Sequence, residues 1–464
     1  MTKVLTQSER VKNRIFYNTT DGRHTRFWLM MAGFMGLIFT RNVFDVNFPI
    51  TVLLIYFCVM AVFSDRDEII ALSVSCVPFT AAFQYRYALL AFIVIYLFKF
   101  PKSVKNYFAF IPLLLMMVWE VFHGISYSFS FVTYLQQFSE LLFCSFVISL
   151  SNKKFNYKLI SRVLAVSTVF VSAVLLIKVL ETANFDFAAV FVSGKYRLGI
   201  NDYTESSYVL NYNANMLGIM CNLAISGILL RMKIDKADVL DISLAVSLAF
   251  FGFLTLSRTF VVCLAMIILM FIVSSGVIKL KTIKNGIMFL FIALIALFVL
   301  YLKVPYVFDN IINRFNEEDI TNGRSTLFAY YNDHIFSSFK YFVFGVGVQN
   351  ILDKMAIIHS ISPADVPHSG FQEIVVGWGI VGFAFFISFL LIMIFTAKEK
   401  VSKMSMNNFI PFVLVIVAAQ TGQLITSGYR LVSLTFAYIA LCVDFSESKE
   451  LMLKDLSEDA VESK

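Results

Sequence analysis

VLDISLAVSLAFFGFLTLSRTFVVCLAMIILMFIVSSGV, residues 239–277, is two apolar runs separated by one serine–arginine step, Ser257-Arg258. Each run is close to the roughly 20 apolar residues that cross a bilayer as a helix. The pair therefore reads as a helical hairpin with an arginine at its tip. A continuous apolar run also excludes the strands of an outer-membrane barrel, which alternate apolar and polar residues.

The rest of the chain repeats this pattern. It is 59% hydrophobic and 15% charged, with 51 phenylalanines in 464 residues, whereas soluble domains carry about 25% charged residues. By the same length rule, spans are predicted near 27–40, 47–64, 69–84, 87–100, 107–122, 131–150, 163–180, 209–230, 239–256, 259–277, 286–302, 372–395, 409–426 and 431–445. The fold class is an all-α polytopic membrane protein of about 12–14 transmembrane helices. Cys58, Cys76, Cys144, Cys221, Cys263 and Cys442 all lie in apolar runs without metal spacing, which argues against a disulfide framework or a zinc site. The net charge of +7 is not read as nucleic-acid affinity, because its placement around the spans is what counts.

Placement follows the positive-inside rule. With residues 1–26 as a cytoplasmic tail, alternation puts 26 of the 38 basic residues inside, in lysine-rich clusters such as Lys99/Lys102/Lys105 and Lys398/Lys400/Lys403. Both termini are then cytoplasmic, the second tail being 446–464. Twelve basic residues remain outside, and seven are arginines: Arg41, Arg86, Arg197, Arg258, Arg314, Arg324 and Arg430. The expected organisation is helices over 27–302 interrupted by an outer loop at about 181–208, a large outer loop at 303–371, and helices over 372–445.

The two outer loops carry the candidate chemistry. Arg197 and Arg324 sit beside glycines (Gly199 and Gly323), and Arg258 caps the hairpin. A guanidinium binds phosphate oxygens through paired hydrogen bonds and keeps its charge, which suits a pyrophosphate. Each arginine also has a plainer reading: snorkelling to lipid phosphate for Arg258, or surface ion pairs with Glu205 and Glu317 for the others. Within the large loop, Leu327, Tyr330, Tyr331, His334, Ile335 and Phe339 have helical spacing, and Gly345-Val346-Gly347 reads as a turn. The loop ends in Pro367-His368-Ser369-Gly370-Phe371-Gln372-Glu373. His368 has the residue type of a general base near neutral pH, with Glu373 to orient or replace it; a helix-capping or merely exposed histidine is the alternative. His334 and His359 read as structural. No H-e-x-x-H, D-x-D or paired-carboxylate pattern is present, so neither a metal nor another cofactor is expected.

Four pieces in order, Arg197-Leu198-Gly199 with Asn213-Ala214-Asn215, Leu256-Ser257-Arg258, Gly323-Arg324 with Phe344-Gly345-Val346-Gly347, and Pro367-His368-Ser369 with Gly377-Trp378-Gly379-Ile380-Val381-Gly382, resemble the O-antigen polymerase/ligase superfamily of bacterial inner-membrane glycosyltransferases. The resemblance covers about residues 190–385; earlier spans match in hydrophobicity only. It implies a metal-independent, GT-C-like fold facing the periplasm and an undecaprenyl-pyrophosphate-linked oligosaccharide donor. It also implies membrane-lipid contacts, with a chain-length regulator and a flippase as partners. Arg197, Arg258 and Arg324 would hold the pyrophosphate, and His368 would activate the acceptor hydroxyl. Ser369 stands where ligases often carry asparagine, and the Phe- and Tyr-rich composition fits polymerases; an inverting polymerase of surface polysaccharide repeat units is the expectation. The alternatives are a ligase that transfers glycan to lipid A core and, from another class, a lipid-linked oligosaccharide flippase. A flippase would show inverted repeats and short loops on both sides.

Overall fold

The computed structural model describes residues 24–124, 130–151, 155–191, 196–199, 210, 212–234, 238–274, 324–351, 367, 369–402, 404–420 and 429–445. Among these residues there is no strand beyond an isolated bridge between Val104 and Leu150. The helices are α1 (Thr25–Val43), α2 (Ile50–Phe63), α3 (Arg66–Phe79), α4 (Tyr85–Lys99), α5 (Phe110–Gly124), α6 (Phe131–Ser149), α7 (Tyr157–Thr182), the short α8 (Phe187–Phe191), α9 (Ala214–Ile234), α10 (Val239–Leu254), α11 (Arg258–Ser274), α12 (Arg324–Phe336), α13 (Phe339–Phe344), α14 (Gly370–Lys400), α15 (Ile410–Ala419) and α16 (Tyr429–Leu441). Thirteen of the fourteen predicted spans coincide with one of these helices; the span at 286–302 lies outside the described residues. Among the described residues four helices, α6, α7, α9 and α14, are long and apolar enough to cross a membrane, and shorter apolar helices accompany them. The chain is an all-α polytopic membrane protein.

Burial sorts the helices into an inner and an outer set. α3 is buried from Glu68 to Phe79 and α16 from Leu431 to Leu441, the pattern of helices surrounded by protein. α3 packs along α7 and against α16, while α9 packs against α7, α10, α11 and α15. The outer helices instead expose large apolar side chains such as Ile55, Phe98, Phe122, Val246, Leu269 and Phe395. Such side chains mark an interaction surface in water; on a membrane protein they face lipid.

Contacts between helix ends fall at two opposite ends of the bundle. At the first end Lys99 donates to the Val62 carbonyl, Lys400 to the Leu150 carbonyl, and His24 meets Glu68 at 2.8 Å. At the second end Leu210 N donates to Asn42, Tyr212 Oη to the Pro78 carbonyl, and Ser369 Oγ to Gln420. Tyr212 also accepts from Ala81 N at 3.1 Å, so the α3–α4 turn props the segment that leads into α9.

Two elements differ from their sequence reading. The helix predicted from Arg324 ends at Phe336 because Ser338 caps a new one, its hydroxyl oxygen accepting from Tyr341 N at 3.2 Å. Its buried face is Tyr331, His334 and Ile335, while Tyr330 and Phe339 are exposed. The span predicted at 372–395 is not one straight helix: α14 breaks at Gly379, whose φ of 66° and ψ of −170° leave the helical region.

A candidate site at two helix N-termini

The tip of the α10–α11 hairpin is built by its own side chains. Thr255 Oγ1 donates to the Gly252 carbonyl and accepts from Ser257 N at 3.2 Å, which closes α10. Leu256 takes a φ of 48°, a left-handed conformation that costs a non-glycine residue about 1–2 kcal/mol. Ser257 then caps α11 by accepting from Phe260 N at 3.3 Å, which makes Arg258 the first residue of that helix.

The earlier loop closes onto this tip. Leu198 N donates to the Leu254 carbonyl at 3.0 Å, and Arg197 donates from Nε to the Thr255 carbonyl at 3.0 Å and from Nη2 to the Leu256 carbonyl at 3.4 Å. Ser257 Oγ also donates to Asn215 Oδ1 at 2.7 Å, and Asn215 N donates to Asn213 Oδ1 at 2.9 Å. Asn222 Nδ2 secures α11 to α9 by donating to the Phe260 carbonyl at 2.9 Å. Three separate sequence motifs thus meet: Arg197–Gly199, Asn213–Asn215 and Leu256–Arg258. The starts of α9 and α11 converge here, and helix N-termini present partial positive charge and N–H groups to an anion. Arg197 and Arg258 are both half-buried.

The second group of candidates lies at the same end. Ser369 caps α14 by accepting from Gln372 N at 3.5 Å, and Glu373, one turn in, is fully buried. Gln372 Nε2 donates to the Phe328 carbonyl at 2.8 Å and to Asn332 Oδ1 at 3.0 Å, which seats α12 on the start of α14. Ser369 Oγ donates to Gln420 at the end of α15, and α15 packs on α9 and α11. A continuous run of contacts therefore joins the start of α14 to the helices that carry Arg258. His368 and the side chain of Arg324 lie outside the described residues, as does His359. His334, read as structural, is buried against the Tyr341 ring at 4.4 Å between centroids.

Sequence reasoning missed the acids. Glu120, in the apolar run of α5, is 1% exposed; it accepts from Val348 N and Gln349 N at 3.0 Å each and from Trp378 Nε1 at 2.6 Å. Glu140 in α6 is fully buried and accepts from Arg86 Nε and Tyr85 Oη, both at 2.7 Å. Arg86 thereby has a structural partner. The available signal was a single carboxylate in each apolar span, which is expensive unless it is paired. At the first end His24, Asp65 and Glu68 bring three metal-type ligands together. Their atoms serve as a helix cap: Asp65 Oδ1 accepts from Glu68 N, Glu68 Oε2 from Asp65 N, and Glu68 Oε1 meets His24 Nδ1.

A family model described as O-antigen ligase matches residues 243–387. That interval runs from α10 into α14 and contains Arg258, Arg324, His368 and Glu373, while Arg197 precedes it. No curated protein and no solved structure matches the chain.

Proposed function

We propose, from the premise that the chain belongs to the O-antigen polymerase/ligase superfamily and acts in polysaccharide assembly, that it polymerises repeat units of a surface polysaccharide. The donor is an undecaprenyl-pyrophosphate-linked oligosaccharide in the bacterial inner membrane, with both termini of the protein cytoplasmic and the site facing the periplasm. Arg197 and Arg258, with Arg324 as a third cation, bind the pyrophosphate. His368 takes the proton from an acceptor sugar hydroxyl, assisted by Glu373. That oxygen attacks C1 of the donor sugar from the face opposite the pyrophosphate, the C1–O bond to phosphate breaks, and undecaprenyl pyrophosphate leaves with the bonding pair. The new linkage is inverted, and the cations stabilise charge where it develops.

The observation that carries this reading is the convergence of Arg197 on the turn before Arg258, at the joined starts of α9 and α11. The guanidinium of Arg197 beside two helix N-termini, with Arg258 as the first residue of one of them, suits a polyanion. The strained Leu256 in the same turn agrees, since strain collects at functional sites. The matched family's description favours one second reading, a ligase whose acceptor is lipid A core instead of another lipid-linked unit.

The deciding experiment incubates purified protein in detergent with lipid-linked repeat units, without ATP or an ion gradient. A ladder of lengthened products that disappears in Arg258→Ala supports polymerisation. Extension only when lipid A core is supplied selects the ligase, and movement of lipid across a vesicle without a new glycosidic bond selects a flippase.

A further inference from the structure

The break in α14 strands main-chain groups inside the bundle. Without helical continuation past Gly379, the carbonyls of Val376, Gly377 and Trp378 need new donors, because unsatisfied backbone groups are costly at membrane depth. They receive them from Val346 N at 3.0 Å, Gly347 N at 2.6 Å and Trp119 Nε1 at 2.9 Å. The segment from Gly345 to Asn350 is thus a strap across the broken helix end, not merely a turn. The strap's next two N–H groups, on Val348 and Gln349, open a 3-10 turn and have no helical acceptor of their own. Glu120 takes both, one on each carboxylate oxygen, and takes the Trp378 indole N–H as well. Among the described residues its partners are N–H groups and not a cation.

We infer that Glu120 is the positioning residue of the site: its carboxylate locks the strap to the broken end of α14 and so fixes where the half-helix Gly370–Trp378 presents Glu373. The inference rests on the function proposed above for the reaction that Glu373 serves; the clamp itself rests on geometry alone. A carboxylate is required because three donors converge on it. Glutamine would offer one oxygen and turn an N–H₂ group toward a donor. Trp378→Phe removes one of those donors and keeps a ring to stack on Phe138, now 5.7 Å away at 13°. One strap N–H still faces the glutamine N–H₂ in the double variant, which keeps the mismatch and loses the indole donor as well.

The test compares the full-length wild type, Glu120→Gln, Trp378→Phe and the double variant at equal folded yield, with initial rates of repeat-unit extension over a range of donor concentrations. Misplacement of a reacting group predicts that Glu120→Gln lowers kcat by about 100-fold. KM for the donor, which depends on the arginines, should stay within about twofold. The double variant should be no faster than Glu120→Gln, because one of the two strap N–H groups still meets the glutamine N–H₂. A Glu120→Gln kcat within about twofold of wild type, a KM that rises as kcat falls, or a double variant restored to the wild-type rate overturns the inference. A second readout needs no activity. In a Trp28→Phe chain the remaining indoles are Trp119 and Trp378, and Glu120→Gln should shift their emission to longer wavelength. If the wild type extends no lipid-linked unit, the proposed function falls and emission alone decides the clamp: a red shift supports it, an unchanged spectrum ends it.

Discussion

Two joints at the second end solve one problem with opposite charges. At residues 255–257 a cation, Arg197, donates to the carbonyls of Thr255 and Leu256. At the α14 break an anion, Glu120, accepts from the N–H groups of Val348 and Gln349. Both satisfy main-chain groups left over at a helix end, the last carbonyls of α10 in one case and the first N–H groups of a 3-10 turn in the other. They differ in access: Glu120 is 1% exposed, whereas Arg197 and Arg258 are half-buried. An enclosed charge can hold only protein. A half-buried charge at two helix N-termini can also meet a ligand, with the Thr255 and Leu256 carbonyls orienting the guanidinium. Burial, more than the presence of charge, separates the joint that supports from the joint that binds.

The largest effect should come from closing the support joint. Gly379 has a φ of 66°, and a Cβ there would lie 2.2 Å from the Val343 carbonyl oxygen; at Gly345, with a φ of 76°, it would lie 2.5 Å from the Gly377 oxygen. Backbone cannot retreat as a flexible side chain can. Gly379→Val should cost more than about 4 kcal/mol, the range that unfolds a marginally stable protein. Size-exclusion profiles in detergent should show no folded peak.

Why one joint was legible in the sequence and the other was not follows from the same contrast. The binding joint announces itself, since Arg258 interrupts two apolar runs and Arg197 lies in a polar loop. The helices were equally readable, because spanning a bilayer imposes length and apolarity on each segment independently. The break in α14 was hidden, since Gly377-Trp378-Gly379 sits in an apolar run and glycine is common in membrane helices. Glu120 and Glu140 stood in view as lone carboxylates, but their partners, Trp378 and Arg86, lie 258 and 54 residues away. Only tertiary structure brings those together. The joining of Arg197 to Thr255 and Leu256 by carbonyl contacts was beyond reach for the same reason, although the convergence of the motifs was expected.

The next effect tests whether any arginine at this end behaves alike. Arg86 is paired with a fully buried Glu140, so Arg86→Ala leaves a carboxylate stranded and should cost about 3–5 kcal/mol. Replacing both partners, as Arg86→Met with Glu140→Leu, should recover most of that stability. Detergent melting curves check both. KM for the donor in the double variant should match wild type; a raised KM would move Arg86 into the binding joint and blur the distinction.

Arg258→Ala should retain the fold and lower extension by about 100-fold, as loss of one charge-stabilising donor does elsewhere. Arg258→Lys keeps the charge without the paired donors and should fall between the two. Equal rates for alanine and lysine variants would mean that the donor geometry, not the charge, carries the effect.

The smallest change is the most discriminating. Ser257 ties the two helix N-termini together: its hydroxyl donates to Asn215 Oδ1 at the start of α9 and accepts from Phe260 N at the start of α11. Loss of an N-cap costs about 1 kcal/mol, so Ser257→Ala should lower the melting temperature by only a few degrees. If the joint serves solely to stabilise the hairpin, the rate should be unaffected at temperatures well below the melt. If it aligns two N-termini on one anion, KM for the donor should rise at every temperature while kcat for bound substrate holds. Ser257→Thr, which keeps the hydroxyl, should restore KM.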